Sequence, residues 1–163
     1  MVKNMRYVPG VLAFLALSVF AVGVAQGDYI YVKDVTMHLS EGNATFKINY
    51  SLEALTRFYV LALGCSFIEP DLLSLFGNYS DARLLKADAD GASIQVIGAG
   101  KYNNGYYLFE SMPLGTKNEP LKEGISRFTV VYPSGRARTF YNVTSTQSVF
   151  YDSRAFFNLS TNS

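Results

Sequence analysis

"VTMHLSEGNATFKINYSL", residues 35–52, decides the fold class. Val35, Met37 and Leu39 alternate with Thr36, His38 and Ser40, and Phe46, Ile48, Tyr50 and Leu52 alternate with Thr45, Lys47, Asn49 and Ser51. Successive side chains of a strand point to opposite faces, so this period of two marks strands with one dry and one wet face. "SEGNA" between the runs carries turn residues, and the pair reads as a β-hairpin. Asn43 then falls at the turn and Asn49 on the wet face.

Further along, the period changes. "SLEALTRFYVLALG" (51–64) fits a helix, with Ser51 able to cap its first turn and Leu52, Leu55, Tyr59 and Ala62 sharing a face. Glu53 precedes Arg57 by four residues, the favourable order for a helical ion pair, and Gly64 can close the helix. The strand formers in "FYVLAL" leave a buried strand as the alternative, since short apolar runs are ambiguous by periodicity. "EPDLLSLFG" (69–77) is the firmer helix. Pro70 suits the first turn, Asp71 faces the positive end of the helix dipole, and Leu72, Leu75 and Phe76 form the apolar face.

Strand patterns then return. "ARLLKAD" and "ASIQVIG" flank Asp90-Gly91, "KYNNGYY" turns at Asn104-Gly105, and "ISRFTVVYP" and "RARTFYNV" flank Pro133-Ser-Gly135. Each is a hairpin signal. "TQSVFY" (146–151) adds a short edge strand, and residues 113–124 form the longest loop. The expectation is a mainly β (α+β) fold: an antiparallel, sandwich-like sheet of seven or eight strands with one or two short helices inserted at about 52–77. Helices do not alternate with strands, so parallel β-α-β units are not expected.

The N-terminus reads "MVKNMRYVPGVLAFLALSVFAVGVAQ". Lys3 and Arg6 precede an uncharged apolar run from Val11 to Val24, and Gly23 and Ala25 supply the small residues before a cleavage point. This is the pattern of a secretory signal peptide, with cleavage expected after Ala25. The competing reading is an uncleaved anchor, because the run counted from Val8 comes near the lower limit for spanning a bilayer. The expected organisation is a signal peptide at 1–25, a single β-rich domain at 26–152 and a loose tail at 153–163.

Without its leader the chain keeps 12 of its 14 Lys+Arg against 13 Asp+Glu, near neutrality. No basic stripe is present, so no nucleic-acid partner is expected. A membrane partner is expected only if the leader stays. The single cysteine excludes an intramolecular disulfide, so packing must stabilise the domain, and a chain of this length can bury a sufficient core. Asn-x-Ser/Thr occurs at Asn43, Asn49, Asn78, Asn142 and Asn158, whereas composition predicts about 1.5 such triplets by chance. All five are glycosylation candidates in an exported protein.

Chemistry-bearing motifs are sparse. Cys65 lies about forty residues too far along for lipid attachment, and the one histidine, His38, falls on the wet face of another strand. Core filling is therefore the reading for Cys65, with intermolecular pairing the alternative. His38 alone cannot build a zinc site. "DADG" (88–91) resembles a fragment of a calcium loop, but turn chemistry accounts for Asp88, Asp90 and Gly91. No metal, cofactor or catalytic residue is assigned. Twelve Tyr and twelve Phe with no Trp fill cores and pair across strands, although an exposed Tyr row could bind sugar or peptide.

The segments "FYVLALG", "IEPDLLSLFG", "VVYPSGRARTFYNV" and "SVFY", behind such a leader, resemble uncharacterised secreted proteins of methanogenic archaea. The resemblance implies an external, glycosylated setting and no particular mechanism. The function expected is that of a non-enzymatic exported domain, at the cell surface or outside the cell, acting by binding or assembly on a surface or extracellular partner. The alternatives are a secreted hydrolase using a carboxylate pair and a carrier of an apolar ligand.

Overall fold

The structure, a computed structural model, describes residues 30–156. The leader (1–25) and Asn158 lie outside the described residues. The fold is mainly β and roughly sandwich-like, with nine strands: β1 (Ile30–Ser40), β2 (Asn43–Leu52), β3 (Ala82–Ala87), β4 (Gly91–Val96), β5 (Gly100–Asn103), β6 (Tyr106–Phe109), β7 (Ile125–Val131), β8 (Ala137–Val143) and β9 (Val149–Asp152). Two short helices, α1 (Ala54–Leu63) and α2 (Glu69–Ser74), are inserted after β2 and joined by a 3-10 turn at Cys65–Phe67.

The hairpin expected at 35–52 forms with a two-residue loop, Ser40 pairing with Asn43. Glu41 (φ 39°) and Gly42 (φ 80°) both take left-handed backbone, which matches the twist of the flanking strands. The dry face is as the alternation requires. Val35, Met37, Leu39, Ala44, Phe46, Ile48, Tyr50 and Leu52 are all buried.

A six-stranded sheet runs β3-β4-β2-β1-β7-β8 and a three-stranded sheet runs β5-β6-β9. All pairings are antiparallel except β1 with β7, which are parallel. That pairing departs from the all-antiparallel expectation, and the strand count exceeds the expected seven or eight. A parallel neighbour needs a crossover of a dozen or more residues. Here the crossover is everything between β1 and β7, β2 included, so no local β-α-β pattern announces it.

One core cluster joins the inner face of the large sheet to its covers. Ile68, Leu72 and Phe76, in and around α2, are buried there, and the Phe76 ring lies 4.4 Å from that of Phe46. Phe109, Val149 and Tyr151 from the small sheet and Leu114 from the long loop complete it. The small sheet is tied to the β1–β2 turn, where the Gly100 N–H donates to the Gly42 carbonyl at 2.8 Å. The long loop is braced by Asn78, whose Nδ2 donates to the carbonyls of Pro113 (3.0 Å) and Gly115 (2.9 Å). Ser153–Phe156 form a 3-10 turn, and the Ser153 N–H donates to the Gly105 carbonyl at 2.8 Å.

Candidate functional site

α1 and its surroundings form the most unusual surface among the described residues. The helix runs from Ala54 to Leu63, so the helical reading holds over the strand alternative, but its buried face differs from the one expected. Only Thr56 and Val60 are buried in it. Leu55 and Tyr59, assigned to the dry face by spacing, are 62% and 39% exposed, and Phe58, Leu61 and Leu63 stand at 64–72%. A helix this apolar offers several plausible stripes, and which one is buried depends on where α2 and the sheet leave room.

At 100° per residue, Leu61, Ala54, Phe58, Ala62, Leu55, Tyr59 and Leu63 fall on one continuous arc of about 200°. No charged residue interrupts it. Arg57, the only charge between Ala54 and Ile68, sits on the flank of the arc and reaches Asp90 at 3.5 Å. That contact replaces the expected Glu53–Arg57 pair. Ser51 belongs to β2, opposite Tyr31, so the cap position falls to Glu53, which makes no side-chain cap bond. Beyond the helix, Phe67 is 43% exposed with its ring 5.7 Å from Tyr59, extending the apolar surface.

The helix is held against the β3–β4 turn. Asp88 Oδ1 accepts the N–H groups of Asp90 (3.0 Å) and Gly91 (2.9 Å), so "DADG" is turn chemistry. The buried Tyr50 hydroxyl donates to the carbonyl of Asp88 at 2.5 Å and lies 3.2 Å from that of Gly91. Burial first, then the proximity of Cys65, Asp88 and Asp90, pushes the Tyr50 phenol well above its usual value. Cys65 is half-buried and packs at the margin of the core, a less complete burial than core filling implied.

The remaining candidates separate cleanly. His38 is half-buried on β1 opposite Thr45, where burial, then the Lys47 ammonium, lowers its pKa. Among the described residues no carboxylate is buried, and the five closest ion pairs, including the Arg127–Asp34 fork at 3.0 Å, lie on the surface. Tyr106, Leu108 and Phe150 make a second, smaller exposed patch on the outer face of the three-stranded sheet, bordered by Asn103 and Asn104.

Four sequon asparagines can be placed. Asn43 accepts the Gly98 N–H on its Oδ1 at 3.0 Å. Asn49 is exposed on the outer face of β2. Asn142 is exposed on β8 in left-handed backbone (φ 51°). Asn78 differs, because its Nδ2, the atom a glycan would occupy, already holds two loop carbonyls. Neither that role nor the apolar arc of α1 was read from sequence. The arc has a visible signal, fourteen of the fifteen residues from Ala54 to Ile68 being uncharged, while the bracing by Asn78 has none. No family model, curated protein or solved structure matches the chain.

Proposed function

We propose that this chain is an exported domain that works at the cell surface or outside the cell, by binding or assembly rather than by catalysis. The observation that carries the reading is the uncharged outer arc of α1, where Leu55, Phe58, Leu61 and Leu63 are all more than 60% exposed. A contiguous apolar surface of this kind is unfavourable in water and marks a place where something docks. Export is supported by the leader-like sequence at 1–25 and by the sequons. Asn43 and Asn49 stand where a glycan would meet no core contact, Asn43 keeping its Oδ1 bond to Gly98 while Nδ2 carries the sugar. The resemblance to secreted archaeal proteins points the same way.

The test is to express the full chain in an export-competent host with an N-glycosylation pathway, fractionate the cells, and analyse the protein by mass spectrometry. The expected result is protein in the surface or external fraction, with glycan on Asn43 or Asn49 and none on Asn78. Full-length chain confined to the cytosol with every sequon bare would overturn the proposal.

A further inference from the structure

The partner that covers α1 follows from where the rest of the chain must lie. Residues 1–29 precede β1, and the uncharged apolar run within them ends at Val24. Only five residues separate Val24 from Ile30, a reach of roughly 20 Å at full extension. Ile30 pairs with Leu52, and α1 begins two residues later. The chain therefore enters β1 at the same end of the large sheet at which α1 begins.

We propose, building on the export reading, that the run is retained as a membrane anchor and that the apolar arc of α1 lies on the lipid bilayer beside it. If the run enters a bilayer, the short connection holds that end of the sheet against the lipid surface. A ten-residue helix is too short to cross, but a helix with an apolar arc can lie in the interface with that arc among the acyl chains. The rim has suitable chemistry. Tyr31 is 53% exposed and Tyr59 39%, Lys33 is exposed at the same end beside Glu53 and the Arg57–Asp90 pair, and aromatic rings and cations favour the headgroup level. The β1–β2 turn with Asn43 then projects roughly 33 Å away from the membrane, at 3.3 Å per strand residue. Retention departs from the cleavage expected after Ala25. The uncovered helix is the reason, since a released domain would carry this surface into water.

The absence of tryptophan gives a direct test. Phe58→Trp in the full chain creates a single indole within the arc, and Leu61→Trp repeats the probe at a side chain 72% exposed, where folding is not at stake. Leu108→Trp, on the outer face of the small sheet, is the reference. With each full-length variant reconstituted into phosphatidylcholine vesicles, indoles at 58 and 61 should be blue-shifted and quenched by lipids brominated near the headgroup. Their quenching by aqueous iodide should be about five-fold weaker than at 108.

Equal iodide access at 58, 61 and 108 in vesicles would overturn the proposal. So would protection at 58 without lipid. A concentration-dependent effect would assign the face to a second copy, and a concentration-independent one would assign it to the chain's own N-terminal run. Exported protein beginning at Gln26 would remove the anchor while leaving the export reading intact, whereas failure of export would remove both.

Discussion

The β1–β2 hairpin and α1 carry similar numbers of apolar side chains and treat them in opposite ways. In the hairpin, eight such residues from Val35 to Leu52 point to one face, and helix, loop and second sheet cover them all. In α1, Val60 is buried while Leu55, Phe58, Tyr59, Leu61 and Leu63 face outward. The residues do not differ in hydrophobicity. They differ in whether a second layer lies opposite. The strands have α2, the long loop and β5-β6-β9 above them, whereas the outer side of α1 keeps Leu55, Phe58, Leu61 and Leu63 more than 60% exposed. Apolar surface that the chain does not cover for itself is where an outside partner gains most by binding.

Four measurements break or sharpen that contrast. The largest effect belongs to the hairpin face. Phe46 is fully buried against the rings of Phe76 and Tyr79, so Phe46→Ala should cost about 3–5 kcal/mol in denaturant unfolding. A loss below about 1 kcal/mol would mean that this face is not the centre of the core. Asn78→Ala comes next. It leaves the carbonyls of Pro113 and Gly115 without their donor and should cost about 1–3 kcal/mol. The same unfolding curves read it, and a neutral result would show that the long loop is not part of the cover.

The third concerns the tie between small sheet and hairpin turn. Burial pushes the Tyr151 phenol up to about 12, partly offset by the backbone of Glu41 and Gly42. The fold therefore favours the neutral form. Its contribution is complete below the unfolded value near 10 and is lost as pH rises through about 12. Tyr151→Phe should flatten the fall in unfolding midpoint between pH 10 and 12. Some fall should persist, because burial also raises Tyr50 and Tyr79. An unchanged profile would place the alkaline loss elsewhere. The smallest effect belongs to α1. Leu61→Gln should shift stability by less than about 0.5 kcal/mol while reducing binding of a hydrophobic dye. A destabilisation above about 2 kcal/mol would mean that the outer arc is covered by the chain after all.

The strands were legible because each is governed by its own neighbours. The turn at Glu41-Gly42, the turns at Asp90-Gly91 and Asn104-Gly105, and the edge strand at Val149–Asp152 all follow from local backbone preference and period-two burial. α1 was legible as a helix but not in orientation. Leu52, grouped with its apolar face by spacing, belongs to β2, and Thr56 took the buried position that Leu55 was expected to hold. Arg57 found Asp90 across the β3–β4 turn instead of Glu53 one helical turn back. Among the sequons, the triplets are plain in the sequence, yet only the fold separates Asn49, open on the outer face, from Asn78, committed to two carbonyls.

Sequence by itself determined that this is a mainly β protein built from local hairpins, that one or two short helices interrupt it after the second strand, and that no intramolecular disulfide holds it together. Those properties depend on neighbouring residues, turn chemistry and a count of sulfurs. Tertiary structure alone decided the parallel pairing of β1 with β7, the small sheet docked on the hairpin turn, and the outward arc of α1. Each of these depends on which surfaces meet after some tens of residues of intervening chain, and nothing in a local pattern encodes that meeting.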